Sequence, residues 1–154
     1  MPAWATPVRS FLAVAIAFAA STSVIAAPVP MVTNGRLVGV AGFSDSGCSE
    51  ENCGPYVEVG TIVSVDRQPK TDLPTGFRLR GVHGEHHELI DADWQGASML
   101  DVRRIRKYLI PGRVVMVIGK RTGEAQVPVP SEVMSIDFAQ KLIDADQAQT
   151  KQRP

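Results

Sequence analysis

The sequence contains few of the residue types that mark a specialised chemistry. It has two cysteines and three histidines among 154 residues, and Trp, Tyr and Phe together make up 6% of the chain. Two cysteines exclude a disulfide-dense miniprotein and any zinc module built on four cysteines. Sixteen basic residues are balanced by sixteen acidic residues, which argues against a dedicated nucleic-acid-binding protein. The charged content of 21% and hydrophobic content of 44% are typical of one globular domain.

Sequence signatures of common enzymes are also missing. The chain has neither a phosphate-binding loop nor a dinucleotide-binding fingerprint. Residues 42–47 contain serines between glycines but do not form the Gly-x-Ser-x-Gly elbow of serine hydrolases. Asp91 and Asp93 have the spacing of an acid–base pair, but no third group is identifiable that would orient them. We therefore expect a protein without enzymatic activity.

A short apolar run near the start of the chain predicts a secretory signal peptide. Arg9 is the only charged residue before Arg36, the apolar run covers residues 11–20, and small residues precede Pro28, which is the order found in signal peptides. The run is too short to span a bilayer, which takes about 20 residues, although it also fits a buried N-terminal helix. We therefore expect residues 1–27 to be removed from a periplasmic or secreted protein without a transmembrane segment.

The two cysteines, Cys48 and Cys53, predict a disulfide. Export takes them into an oxidising compartment, where cysteines this close in sequence usually pair. Closing so short a loop stabilises a fold by about 2 kcal/mol. Thioredoxin-type redox sites have two residues between their cysteines, whereas four separate these two. The predicted bond is therefore structural.

Alternating and β-branched segments predict strands, and one segment predicts a helix. Ser98 is a suitable N-cap for this helix, and Asp101 follows three positions later. The apolar residues that recur at helical spacing and form one face are Met99, Val102, Ile105 and Leu109. The predicted strands cover residues 36–40, 56–65, 77–80, 87–90, 113–119 and 132–138.

The order of these elements predicts a mainly β fold. Three strands, a helix and two strands over residues 56–146 match a small five-stranded OB-like barrel, whose α-helix lies between strands three and four. An SH3-like barrel and an α+β roll fit the same order. Residues 28–55 form an N-terminal extension with the disulfide loop in this interpretation, and residues 147–154 form a polar tail.

Two segments resemble the bacterial periplasmic OB-fold (BOF) proteins. The first is Gly60-Thr61-Ile62-Val63, which resembles the Gly-x-Ile-Val strand of that family. The second is residues 84–96, which contain a Gly-Glu turn, an Ile-Asp strand end and a nearby Trp. The resemblance implies a small, exported, non-enzymatic envelope protein linked to stress tolerance.

Every histidine of the chain lies within one five-residue segment, at His83, His86 and His87. In a regular strand, His83 and His87 would share one side with Glu85, and imidazole and carboxylate ligands suit a divalent transition metal. The sequence therefore predicts no cofactor other than this metal, which would make the protein a periplasmic metal-binding protein. The alternative is a solvated hairpin tip, because Gly81 and Gly84 both favour a turn.

Charge is distributed unevenly along the chain. Residues 101–124 contain seven basic and two acidic residues, whereas residues 28–75 contain three basic and six acidic residues. A basic helix beside a basic strand predicts a surface for an anionic glycan, a lipid head group or an envelope protein, with nucleic acid disfavoured by export and by the few aromatics. A solvated helix face, or an assembly module without a small ligand, are the alternatives. The candidate binding residues are Phe77, Arg78, Arg80, Arg103, Arg104, Arg106 and Lys107.

Overall fold

A computed structural model of the chain describes residues 27–43, 53–123 and 125–151. Residues 1–26 of the predicted signal peptide and Cys48 lie outside these ranges, so export and the disulfide stay predictions. The described residues form one antiparallel sheet of seven strands and two α-helices, which confirms the mainly β prediction. No helix in the described ranges has the length and apolar character needed to cross a membrane.

The order of elements along the chain agrees with the predicted order over most of the fold. The predicted succession of three strands, a helix and two strands is found as β3, β4, β5, α1, β6 and β7. A single 3₁₀ turn, Trp94–Gly96, precedes α1. The bounds are β1 Val29–Thr33, β2 Arg36–Ala41, β3 Gly54–Arg67, β4 Pro74–Gly81, β5 Gly84–Leu89, α1 Met99–Tyr108, β6 Val114–Thr122, β7 Val127–Ser135 and α2 Ile136–Lys151.

The sheet differs from a five-stranded closed barrel in two respects. It has seven strands, and its hydrogen-bonded order β1-β2-β7-β6-β3-β4-β5 is not closed. The two additional strands, β1 and β2, lie within the predicted N-terminal extension, and β2 pairs with β7. Asn34 and Gly35 connect them with φ of 51° and 73°, a conformation that hairpin turns require and that Asn-Gly readily adopts. This hairpin turn explains why part of the predicted extension belongs to the sheet.

The C-terminal region contains a helix where the sequence predicted a strand and a polar tail. The predicted strand over residues 132–138 ends at Ser135, and α2 begins at Ile136. Ala139 is buried, and α2 contacts both β6 and β7. Ile136 and Phe138 alternate with polar residues, as in a strand. From Ala139 onward, however, apolar residues recur at helical spacing, at the exposed positions Leu142 and Ile143.

Gly60 lies near the middle of β3, where the pairing with one neighbouring strand overlaps the pairing with another. The first half of β3 pairs with β6 and the second half with β4, and both ladders include Gly60. A Cβ atom at this position would lie 2.7 Å from the carbonyl oxygen of Arg80, which no side chain tolerates. The glycine that predicted a bulge or bend therefore permits a close backbone approach.

Helix α1 connects the core to the molecular surface. The Ser98 Oγ accepts a hydrogen bond from the Asp101 N–H at 3.1 Å, which confirms the predicted N-cap. Val102, Ile105 and Leu109 are buried as predicted. The prediction for Met99 is wrong, because this side chain is 71% exposed; burial of α1 begins one turn later, at Val102. The opposite side of the helix carries its basic residues.

Candidate anion-binding cleft

A cleft of about 510 Å³ lies where α1, the end of β3 and the β3–β4 loop meet. Its lining contains four cationic side chains, one carboxylate and one apolar side chain, so its formal charge is positive. Such a concave surface of one sign concentrates ions of the other sign. We refer to this site as the basic cleft; its lining residues are Arg67, Asp72, Arg103, Arg106, Lys107 and Ile110.

Arg67, the last residue of β3, is held between the loop and the end of α1. Its Nη1 donates to the Asp72 carbonyl oxygen at 3.5 Å, and its Nη2 donates to the Leu109 carbonyl oxygen at 3.3 Å. The second bond satisfies a carbonyl at the helix C-terminus, where helical partners run out and a cation is favourable. Burial lowers the pKa of Arg67, and the Arg106 charge lowers it further. A guanidinium nevertheless stays protonated in proteins.

The β3–β4 loop places a carboxylate among these cations. The Gln68 N–H donates to the Leu73 carbonyl oxygen at 2.9 Å, and the Asp72 N–H donates to the Gln68 carbonyl oxygen at 2.8 Å, which closes the loop on itself. The Asp72 carboxylate then contacts the Arg106 guanidinium and lies 3.8 Å from the Arg67 Nε. Asp72 therefore neutralises part of the charge of two arginines.

Two cations of the cleft remain without such a partner. Arg103 and Lys107 are exposed and line the cleft from α1, since residues four positions apart share a helix face. Neither has an ion-pair partner within the described ranges. Arg104, by contrast, lies outside the lining and is 3.9 Å from Asp101. The structure thus brings three of the four predicted helix residues, including Arg106, to one cavity.

The predicted residues of β4 lie elsewhere. Phe77 is completely buried in the hydrophobic core, so it offers no surface to a ligand. Arg78 and Arg80 are exposed, and both pair with Glu85: the Arg78 Nε lies 2.9 Å from Oε1 and the Arg80 Nη2 lies 3.1 Å from Oε2. The hydrogen bond from Arg80 is the main cause of a lowered pKa at Glu85. None of these residues lines the basic cleft.

The histidines do not come together either. His83 is exposed in the turn between β4 and β5, whereas His86 and His87 point to opposite faces of β5 because strand side chains alternate. The His87 Nε2 lies 2.6 Å from the Asp66 Oδ2 on the outer face. In the part of the chain that the structure describes, no group of three or more His, Cys, Asp or Glu side chains is placed to hold a metal ion.

A second polar cluster lies on the inner face of the sheet, which carries the core. The Tyr56 hydroxyl donates to the Glu88 Oε1 and lies 2.5 Å from the His86 Nε2, which is itself 2.8 Å from the same carboxylate oxygen. Glu88 is completely buried, and its Oε2 has no hydrogen-bond partner among the described residues. We call these three residues the inner cluster.

Burial shifts the pKa values of two members of the inner cluster, Glu88 and Tyr56. Burial raises the pKa of Glu88, although hydrogen bonds from Tyr56 and His86 oppose the shift. Burial also raises the pKa of Tyr56, as does its hydrogen bond to Glu88, so the phenol is protonated and is a poor nucleophile. The Arg121 guanidinium lies 4.7 Å from the centre of the Tyr56 ring, a cation–π contact. Hydropathy gave no signal for this cluster, since β5, which supplies His86 and Glu88, is almost entirely polar.

Sequence reasoning also missed Arg67, Asp72 and Ile110 in the basic cleft. Their only local signals were a charge at a strand end, an acid in a loop and an apolar residue before Pro111. Comparisons with protein-family models, with curated proteins and with solved structures found no match to this chain. The chemistry of the cleft itself therefore carries the functional argument.

Proposed function

We propose that this protein is a non-enzymatic binding protein of the bacterial envelope that holds an anionic ligand in the basic cleft. The observation that carries the proposal is the convergence of four cations on one cavity that contains a single described carboxylate. A solvated helix face would present its charges to open water without a cavity. Here the charges come from a strand end and a helix and line one shallow depression that is open to solvent.

The lining favours a phosphate- or sulfate-bearing ligand. Three of the four cations are arginines, whose planar guanidinium groups donate two parallel hydrogen bonds to such anions. The cavity of about 510 Å³ is within the range of small-molecule sites. Its described lining has no aromatic side chain, so it lacks the stacking surface that single-stranded nucleic acids use. A head group or a charged sugar fits this chemistry better than an oligonucleotide does.

The OB-like interpretation belongs to the same proposal. Three observations support an open OB-like barrel extended by β1 and β2. The five central strands lie in the order β5-β4-β3-β6-β7, α1 follows β5, the third of them along the chain, and β5 lies close to β7. The resemblance to the BOF proteins is in agreement with this architecture. Both point to a binding role rather than to catalysis.

Salt-dependent binding tests the proposed function. We expect the protein to bind inorganic tripolyphosphate, a sulfated oligosaccharide or vesicles of phosphatidylglycerol, and to bind more weakly at high salt, because ions screen exposed charges. The three probes separate a free anion, a glycan and a lipid surface as the source of the ligand. Isothermal titration calorimetry and vesicle co-sedimentation measure the affinities. Absence of salt-dependent binding to all three probes would contradict the proposal.

Matched variants locate the binding. Arg103→Gln and Lys107→Gln each remove one cleft cation and should weaken binding at least about tenfold, since a hydrogen bond to a charged group contributes about 1.5–3 kcal/mol. Arg104→Gln removes the same charge from the same helix but outside the cleft, so it should change the affinity less than about twofold. Equal losses in all three variants would mean that the ligand responds to overall charge rather than to the cleft.

The envelope location has its own test. We expect protein purified from a periplasmic extract without reductant to lack residues 1–27 and to be two hydrogens lighter than the reduced chain. Intact-mass spectrometry before and after reduction and alkylation measures both changes. An uncleaved chain would exclude the signal peptide, and alkylation of Cys48 and Cys53 without reduction would exclude their disulfide.

A further inference from the structure

Asp72 is the one acidic residue among the described residues that line the basic cleft. Its carboxylate contacts Arg106 and lies 3.8 Å from the Arg67 Nε, so it occupies the position between two guanidinium groups that an anion from solution would take. The other two cations, Arg103 and Lys107, have no ion-pair partner within the described ranges. The cleft is therefore divided into one partly neutralised and one open pair of cations.

We propose that Asp72 is an internal counter-ion that a ligand with two anionic groups displaces from Arg67 and Arg106. This inference rests on the proposed function and specifies the ligand class. The first anionic group binds Arg103 and Lys107, and the second replaces the Asp72 carboxylate. A ligand with a single anionic group makes only the first interaction and leaves Asp72 in place, because it has no second group to replace this carboxylate.

The backbone makes this displacement feasible. Asp72 belongs to a short loop whose neighbouring residues Gln68 and Lys70 are exposed, and its carboxylate side chain is half exposed. The loop is closed by its own hydrogen bonds between Gln68, Asp72 and Leu73. The side chain can therefore rotate away from Arg106 while the loop keeps its fold.

Replacement of Asp72 by an uncharged residue tests the inference. Asp72 has a φ of +57°, and Asn is among the few side-chain-bearing residues that readily adopt this left-handed conformation, as Gly also does. Asp72→Asn should tighten binding of pyrophosphate by about five- to tenfold, the effect of one charge about 4 Å away that is screened almost as strongly as in bulk water. Binding of inorganic phosphate should change less. Asp72→Gly should give the same ranking of the two probes.

Asp66→Asn is the matched control. It removes the same charge one residue before Arg67, but Asp66 faces His87 on the outer face of the sheet and does not line the cleft. It should change the affinity for pyrophosphate less than about twofold. An equal gain in both variants would overturn the inference, since overall charge would then explain the effect.

The outcomes separate this inference from the proposed function. If neither the wild-type protein nor Asp72→Asn binds phosphate, pyrophosphate, tripolyphosphate, the sulfated oligosaccharide or the vesicles, the anion-binding function itself fails. If the wild-type protein binds them and loses binding in Arg103→Gln, but Asp72→Asn binds no more tightly, only the role of Asp72 fails.

Carboxyl NMR of the wild-type protein gives a measurement that needs no variant at Asp72. The Asp72 resonance should shift when pyrophosphate is added, and an unchanged resonance in a protein saturated with pyrophosphate would overturn the inference.

Discussion

The outer face of β5 and the inner face behind it each hold a glutamate, and the two environments are opposite. Glu85 lies outside, where Arg78 and Arg80 pair with it, and the pKa of Glu85 is lowered mainly by the hydrogen bond from Arg80. Glu88 lies inside, where burial raises its pKa despite hydrogen bonds from two neighbours. Only three positions separate the two residues, so the side of the strand decides the chemistry.

The same contrast applies to the basic cleft and the inner cluster. The cleft gathers charges that remain near water, where each ion pair contributes little to stability and the side chains are available to a ligand. The inner cluster holds a carboxyl away from water, and in such a buried site each unmade hydrogen bond is costly. The difference agrees with the proposed binding role of the cleft, and it predicts that Glu88 makes the stability of the fold depend on pH.

The largest expected effect concerns the difference between the buried and the exposed side of α1. Ile105→Asp places a charge at a completely buried position and should lower the free energy of unfolding by several kcal/mol, about 3–5 kcal/mol for an uncompensated buried charge. Chemical denaturation followed by circular dichroism measures the loss. Arg104→Asp changes an exposed position on the same helix and should cost less than about 1 kcal/mol. Equally mild effects of both substitutions would show that the orientation of α1 is wrong.

A smaller effect sharpens the comparison of the two glutamates. The raised pKa of Glu88 means that the folded protein holds this proton more tightly than the unfolded chain does. The resulting stability is fully present below the ordinary value of 4.5 and is lost as the pH rises through the raised pKa. Glu88→Gln removes this titration, so the stability of the variant relative to the wild-type protein should increase with pH, by at most about 1.4 kcal/mol per pH unit. Thermal melts between acidic and neutral pH measure the slope.

Glu85→Gln should give a slope of the opposite sign. The lowered pKa of Glu85 contributes stability that is present above the ordinary value and is lost as the pH falls through the lowered pKa. The variant should therefore lose stability relative to the wild-type protein as the pH rises through this window, and the exposed position keeps the effect small. Slopes of the same sign in the two glutamine variants would contradict the assignment of inner and outer faces.

Local patterns predicted the elements that depend on neighbours in sequence. Ser98 and the spacing of Val102, Ile105 and Leu109 predicted α1, because capping and helical periodicity act within a few residues. The same reasoning missed α2, since Ile136 and Phe138 alternate as in a strand just before the helical spacing begins. It also placed Met99 in the core, because periodicity does not say where along a helix the neighbouring sheet ends.

The candidate site divides in the same way. The basic character of α1 was evident from the sequence, as were Arg103, Arg106 and Lys107. Arg67 and Asp72 reach them only through the fold, since Asp72 and Arg106 are 34 positions apart. In the sequence, Arg78 and Arg80 are as basic as the residues of α1. Their pairing with Glu85 on the neighbouring strand could not be predicted from it.

The sequence by itself determined the mainly β composition, the order of the central strands around α1, and the basic face of that helix. Each follows from periodicity, capping or charge over a few neighbouring residues. The tertiary structure decided which cations line a cavity, which are neutralised, and that Glu88 and not Glu85 is buried. Those outcomes depend on contacts between distant segments and on removal from water, which set the electrostatic environment of each side chain.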